Sequence, residues 1–193
     1  SRPTARQALQ RLVDRGLLTR RRGVGTIVSP RHVHRPMELT SLMRDLVNAG
    51  HKVHTTIQRY EARPANAQEA DVLKITEGTL IVHIERTRFA NDEPIAVLTN
   101  FIPTDIAPTM QELESASLYD LMRERGVTLA SARQVIGARS ATTKEAKLLS
   151  EHRGAALLTT QRTTYDPSGR IVEYGNHIYR ASRYSFETSL FAQ

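Results

Sequence analysis

The chain contains no cysteine among its 193 residues. This absence excludes a disulfide framework and cysteine-ligated zinc, and it favours a protein of the reducing cytoplasm. Long apolar runs are also absent, since no stretch approaches the roughly 18 residues of a membrane-spanning helix, and no signal peptide is recognisable. With 39% hydrophobic and 24% charged residues, the composition is that of a soluble globular protein with a real core.

Positive charge is concentrated at one end of the chain. Of the formal net charge of +7, residues 1–35 contribute +8, because nine arginines face one acid, Asp14. The other 158 residues carry 18 basic and 19 acidic side chains. A cluster of this kind indicates contact with a polyanion, whereas an evenly basic surface would indicate little.

The first 28 residues have the pattern of a helix followed by a hairpin. Apolar residues recur at helical spacing and predict one buried stripe, formed by Ala5, Ala8, Leu9, Leu12 and Val13. The helix is expected to end at Gly16. The opposite face carries arginine and glutamine, which pair with guanine and adenine in the major groove. A basic turn over residues 20–25 then joins two short strands, and its glycines allow a close approach to a neighbour.

These residues resemble the recognition helix and wing of GntR-superfamily winged helix-turn-helix regulators. The resemblance is carried by Ser1-Arg2-Pro3-Thr4-Ala5-Arg6-Gln7-Ala8-Leu9, Gly16-Leu17-Leu18 and Arg22-Gly23-Val24-Gly25-Thr26. It implies DNA contacts from Arg2, Thr4 and Arg6 on the helix and from Arg22 and Gly23 on the wing. Since the chain begins without methionine in the middle of this pattern, we expect residues 1–28 to be the C-terminal part of the DNA-binding domain. Without the first two helices, the chain as given should bind operator DNA poorly.

Residues 29–38 are predicted to form a linker, because they contain two prolines and no periodicity. His32 and His34 lie here without a carboxylate or cysteine at ligand spacing, which favours a solvated linker over a metal site. No metal and no cofactor are expected.

From residue 39 onwards, helical and extended patterns alternate. Helices are expected from Leu42 to Gly50, with Leu42, Leu46 and Val47 inward, and near 66–74, 117–125 and 143–150. Strands are expected near 53–61, 79–89, 95–102 and 130–140, with a final hairpin at 156–165 and 171–184 around Asp166-Pro167-Ser168-Gly169. Hairpins interspersed with helices predict an α+β domain with an antiparallel sheet.

Residues 39–193 resemble the UTRA domain of the HutC-type branch of the same superfamily. The motifs are Leu39-Thr40-Ser41, Ile84-Glu85-Arg86-Thr87-Arg88, Glu93-Pro94-Ile95-Ala96, Ser117-Leu118-Tyr119, Val172-Glu173-Tyr174, Tyr179-Arg180 and Arg183-Tyr184-Ser185-Phe186. The resemblance implies a fold similar to that of chorismate lyase and a domain that binds an effector and forms the dimer.

Arg86 and Arg88 alternate on a predicted strand, so both side chains should leave the same face. Two guanidinium groups side by side can hold a carboxylate or phosphate in a bidentate manner. Thr40 and Ser41 lie where a helix begins and offer hydroxyls and backbone N–H groups to the same anion. The alternative is that both arginines pair with Glu93 or Glu173 on a solvated face.

The UTRA resemblance implies that these arginines hold the anionic part of a small effector, often a sugar phosphate. Thr40, Ser41, Ser117 and Tyr119 are expected to assist, while Glu173 and Tyr179 line the other side. Leu98 departs from the family pattern, since several sugar-phosphate sensors have a glutamate there, and this makes a phosphorylated amino sugar a poorer candidate. His177 either adds a polar contact or, as we favour, is a structural histidine.

We therefore expect a cytoplasmic transcription repressor that binds double-stranded operator DNA as a homodimer and responds to a small anionic effector. Two alternatives remain. One is a chorismate-lyase-like enzyme, although no nucleophile arrangement or metal-ligand cluster supports catalysis. The other is an interaction module whose pocket is vestigial.

Overall fold

The computed structural model describes residues 2–14, 18–21, 23, 25–28, 33–36 and 39–188. Within these ranges the helices are α1 (Arg2–Asp14), α2 (Leu42–Asn48), α3 (Ala67–Leu73), α4 (Met110–Ser115), α5 (Leu118–Glu124) and α6 (Thr143–Leu148). The strands are β1 (Leu18–Arg21), β2 (Gly25–Val28), β3 (Val33–Pro36), β4 (Val53–Pro64), β5 (Leu80–Ala90), β6 (Glu93–Pro103), β7 (Ser131–Ser140), β8 (Ala156–Tyr165), β9 (Ile171–Arg180) and β10 (Tyr184–Glu187).

Six strands form one antiparallel sheet in the order β4-β5-β6-β9-β8-β7. Its tightest turn joins β5 to β6 through Asn91 and Asp92, whose φ angles of 53° and 65° suit a two-residue hairpin. The turn from β8 to β9 is built by Asp166, whose carboxylate accepts from the backbone N–H groups of Ser168 and Arg170. The α+β class expected from the sequence is confirmed.

Helices cover both faces of this sheet. On one face, α2, α4 and α5 pack against residues such as Ile84, Leu98 and Ile102. On the other face, α3 packs near Phe101 and α6 packs near Leu157. Among the described residues, no helix is long and apolar enough to cross a membrane.

Side chains on the face under α2 and α5 line up in rows across the strands, because directly paired residues point to the same side. One row runs Arg86, Leu98, His177 and Thr160. The next row runs Ile84, Asn100, Gly175, Arg162 and Gln134. These two rows form the floor of the site described below.

Several details differ from the sequence prediction. Val47 is 52% exposed rather than inward, because α2 has seven residues and buries only the side of Leu42 and Leu46. Helix α4 was not predicted, although Thr109 and Glu112 form a capping box at its start. The second arm of the last hairpin ends at Arg180, and β10 is a separate strand that pairs in parallel with β3.

The N-terminal helix and hairpin occur where the sequence predicts them, with β1 and β2 antiparallel. Of the apolar stripe predicted for α1, Ala5 and Ala8 are exposed, Leu9 is 43% exposed and Leu12 is half-buried, so the described elements leave most of the stripe uncovered. Part of the expected linker, residues 33–36, is strand β3. Gly16, His32 and the remaining linker residues lie outside the described residues, as do the side chains of Val13 and His34.

Candidate functional site

A pocket open to solvent lies between the sheet and the first turns of α2 and α5. Its cavity volume is about 40 Å³, well below the roughly 300–1,000 Å³ of typical small-molecule sites, so a bound ligand extends into the open mouth. Its lining residues are Thr40, Ser41, Leu42, Met43, Arg86, Arg88, Leu98, Asn100, Ser117, Leu118, Tyr119, Arg162, His177 and Tyr179.

Two arginines of β5 dominate one end of the pocket. Arg86 and Arg88 are 3% and 2% exposed. Arg86 donates from Nη2 to Oδ1 of Asn100 at 3.0 Å, and Arg88 donates from Nη1 to the hydroxyl of Thr55 at 2.5 Å. In the part of the chain that the structure describes, Nε and Nη1 of Arg86 and Nε of Arg88 are buried without a hydrogen-bond partner. These N–H groups are therefore available as hydrogen-bond donors to a ligand.

The positive charge of this pair is not neutralised by any described carboxylate at ion-pair distance. Glu93 pairs instead with Arg183 at 3.0 Å and with Arg180 at 3.5 Å. Burial lowers the pKa of Arg86 to about 10, and burial together with the charge of Arg86 lowers the pKa of Arg88 to about 9. Both arginines are buried, and neither forms an ion pair with Glu93 or Glu173 among the described residues, so the alternative of two solvated ion pairs does not describe this site.

Glu173 lies beneath the pocket, fully buried, at the centre of a hydrogen-bond network. Its carboxyl accepts from Nδ2 of Asn100 at 2.6 Å, from Thr164 at 2.7 Å and from the hydroxyl of Tyr119 at 3.3 Å. Burial raises the pKa of Glu173, and burial together with Glu173 raises the pKa of Tyr119 to about 12. Glu173 therefore holds the floor residues in place and does not itself line the cavity.

The hydroxyls at the mouth of the pocket are already engaged locally. Ser41 caps α2 by accepting from the backbone N–H of Arg44 at 3.1 Å, and Thr40 donates to Asp45 at 3.0 Å. Ser117 caps α5 by accepting from the N–H of Asp120 at 3.4 Å. Both caps fix the start of a helix at the pocket.

The middle of the pocket is less polar. Leu98 lies between Arg86 and His177 in its row and is 5% exposed. His177 is held between Asn100, whose Nδ2 lies 3.3 Å from Nε2, and the hydroxyl of Tyr179, 3.3 Å from Nδ1. The histidine thus has structural partners, and it also lines the cavity.

Seven of the eight effector-contact residues expected from the sequence line this one pocket, and the eighth, Glu173, supports its floor. Sequence reasoning missed Asn100, Arg162, Thr55 and Thr164. A signal existed for the first two, since Asn100 follows Leu98 at the same strand parity and Arg162 alternates with Thr160 and Thr164.

The expected DNA-contact residues lie on other elements. Thr4 and Arg6 are exposed on α1, and Gly23 is exposed in the turn between β1 and β2 with a φ of 82°. The side chain of Arg2 and the whole of Arg22 lie outside the described residues.

Comparison with known proteins identifies the sensing part of the chain. Residues 48–185 match the family model of the UTRA domain. The HTH-type transcriptional repressor NagR of Bacillus subtilis is 34% identical over 189 residues, which cover 96% of this chain and 78% of the repressor. The probable transcriptional regulator PhnF of Escherichia coli is 31% identical, with 96% and 79% covered.

Solved structures agree with this assignment. A putative transcriptional regulator from Streptomyces coelicolor is 46% identical with a TM-score of 0.68, covering 74% of this chain and 96% of that one. PhnF from Mycobacterium smegmatis is 25% identical with a TM-score of 0.78, covering 100% and 86%.

Proposed function

Because the chain belongs to the UTRA-domain family of GntR-type transcription regulators, we propose that a small anionic effector controls its binding to operator DNA from the pocket under α2 and α5. The observation that carries the proposal is the pair of buried guanidinium groups, Arg86 and Arg88, with donors unused and no described carboxylate paired with them. A buried charge without a partner costs several kcal/mol, and an anion that enters the pocket removes this cost.

The mechanism is a shift between two populations of the regulator. The effector stabilises one arrangement of the two DNA-binding heads of a homodimer, and only the other arrangement matches the spacing of the operator half-sites. We also propose that the protein acts in the cytoplasm and that the effector is not turned over. The direct test is native mass spectrometry of protein purified from its own host, which should retain a small anion. That anion, added back, should change operator affinity and be recovered unaltered, whereas its conversion would support the enzyme alternative.

Base reading by α1 gives the first prediction. In the full-length regulator, Arg6→Ala should cost on the order of 1–3 kcal/mol of operator affinity and relax sequence specificity, because Arg6 is exposed on the recognition helix. Arg22→Ala on the wing should weaken specific and non-specific DNA alike and flatten the salt dependence. Fluorescence anisotropy at several salt concentrations measures both. Equal, sequence-independent losses would contradict a base-reading role for Arg6.

The homodimer is proposed to form through the edge strand β7. This ten-residue strand is the last in the sheet, is exposed over nearly its whole length and contains neither lysine nor proline. Val135 and Ile136 are 50% and 37% exposed at its centre. The charged residues of β7, Arg133 and Arg139, lie towards its two ends, and Arg139 is paired with Glu145. Natural proteins protect exposed edges, so the apolar centre of this edge favours pairing. A second β7, antiparallel across a twofold axis, continues the sheet.

Ile136→Glu should therefore weaken the dimer by about tenfold or more, because the twofold axis brings two added charges together in place of two apolar contacts. Sedimentation velocity at micromolar concentration measures the change. Leu80→Glu is the control, since Leu80 is 54% exposed at the start of β5, away from this edge. A dimer that tolerates Ile136→Glu as well as Leu80→Glu places the interface elsewhere.

A further inference from the structure

A third arginine, Arg162 on β8, lines the pocket at a distance from the other two. It is 6% exposed. Its Nε donates to Oε1 of Gln134 at 2.7 Å, and its Nη1 makes a long bond of 3.4 Å to the hydroxyl of Tyr119. Its Nη2 donates to no residue in the described ranges. A nearly buried guanidinium thus has donor capacity left beside an open cavity.

Arg162 lies across the sheet from the Arg86–Arg88 pair. In its row, Arg162 pairs with Gly175, Gly175 with Asn100, and Asn100 with Ile84 of β5. Three strand spacings of ~4.8 Å separate the two backbones by about 14 Å, and the side chains of Arg86 and Arg162 reach inward to Asn100 and Tyr119. Guanidinium groups therefore approach the pocket from the strands on both sides of β6 and β9.

The floor between the two ends does not balance this charge. Among the described residues that line or underlie the pocket, Glu173 is the one carboxylate beside three guanidinium groups, and it is engaged with Asn100, Thr164 and Tyr119. Burial favours the neutral form of Glu173 by raising its pKa. A ligand with one negative charge leaves part of this excess uncompensated.

The centre of the pocket presents apolar surface rather than hydroxyl acceptors. Leu98, Leu118 and the ring of Tyr179 line it. A buried hydroxyl without a partner costs about 1–3 kcal/mol, so a heavily hydroxylated spacer fits poorly beside Leu98. The spacer that suits this lining is short and largely apolar.

We propose that the effector carries two anionic groups at opposite ends of a short, weakly polar spacer, one held by Arg86 and Arg88 and the other by Arg162. This inference rests on the proposed function, since it assigns the second contact of the same effector. Arg162 is then the residue that distinguishes ligands with an anionic group at each end, here called two-headed anions, from ligands with a single anionic group, here called one-headed anions.

Matched pairs of ligands test this assignment by calorimetry. Glutarate is compared with butyrate, which lacks the second carboxylate, and 3-phosphoglycerate with glycerol 3-phosphate, which has a neutral hydroxymethyl group in place of the carboxylate. A charge-assisted bond in an enclosed site is worth about tenfold to a hundredfold in affinity, and we expect a two-headed probe to exceed its match by this factor. Arg162→Gln should abolish that advantage, so that the variant binds the two members of each pair with similar affinity. Arg162→Lys keeps the positive charge and should therefore retain part of the affinity advantage of the two-headed probe.

The outcomes separate this inference from the function on which it rests. If no two-headed anion binds the wild type more tightly than its match, or if Arg162→Gln leaves the advantage intact, the second contact is overturned. One-headed anions that still require Arg88 would leave the proposed function standing in that case. If the tightest ligand binds equally well without Arg88, the proposed function fails with it.

Discussion

Arg88→Ala is expected to weaken effector binding by roughly ten- to a hundredfold and to change the operator affinity of the effector-free, full-length regulator by less than about twofold. Arg88 is 2% exposed in the pocket, and its Nε lacks a hydrogen-bond partner among the described residues, so an anion gains a charge-assisted bond there. We propose that operator binding depends on the N-terminal elements, which carry the excess of positive charge. Calorimetry with a panel of phosphosugars, phosphonates and carboxylic acids measures the first quantity, and anisotropy with operator DNA measures the second.

Two variants serve as controls for this loss. Arg88→Lys should restore little, because an ammonium group keeps the charge but lacks the planar fork that holds an anion with two bonds. Arg183→Ala should have no effect on the effector, since Arg183 pairs with Glu93 and does not line the pocket. A tightest ligand that is neutral, or one indifferent to Arg88, would show that the arginine pair is structural.

Gly175→Ala is expected to destabilise the protein by about 2–4 kcal/mol, which lowers Tm by roughly 5–15 °C for a chain of this size. A Cβ at Gly175 would lie 2.5 Å from Oε1 of Glu173 and 2.5 Å from Nε2 of His177. Both side chains fold over the glycine and hydrogen-bond to Asn100. Moving them aside breaks buried bonds, and anion affinity should fall together with stability.

The matched control is Gly137→Ala on β7. A Cβ there meets the hydroxyl of Thr159 at 3.0 Å, and the residue is exposed in the protomer, so the cost within one protomer should stay below about 1 kcal/mol. Both glycine variants are made in the Ile136→Glu background, which removes the proposed β7 contact from the comparison. Thermal unfolding followed by circular dichroism compares the two variants. Equal melting temperatures would mean that Glu173 and His177 rearrange freely and do not form a rigid floor.

Local patterns predicted the elements of the fold more completely than their packing. The parity of Arg86 and Arg88 on one strand was enough to place them on one face, because strand geometry depends on neighbours in sequence. Whether that face was solvated or buried depends on α2 and α5, which cover it. The prediction that Val47 points inward was wrong for the same reason. The position of a residue on a helix indicates the direction of its side chain, but not whether another element packs against it.

The floor of the site could not be assembled from the sequence. Arg162 and Asn100 are 62 positions apart, and they share a row only through the registers of β6, β9 and β8. Register is a property of the whole sheet, and a slip of one residue would turn either side chain to the opposite face. Helix α4, by contrast, was predictable from a local signal, the capping box at Thr109. With six residues the helix is too short to show a clear apolar period.

The parallel pair of β3 and β10 limits how far the hairpin of β1 and β2, which we propose contacts DNA, can move from the sheet domain. Five peptide units separate Val28, the last residue of β2, from Val33, and a fully extended chain of this length spans about 18 Å. On the other side, Tyr184 of β10 stacks on Tyr179 with ring centroids 4.4 Å apart, and Tyr179 lines the pocket. The hairpin is thus connected, through β3 and the stacked rings of Tyr184 and Tyr179, to the pocket in which we propose that the effector binds. In the proposed homodimer, successive half-sites lie about 34 Å apart along DNA, so a displacement of one hairpin well within the roughly 18 Å reach of its connection would be enough to move it off its groove.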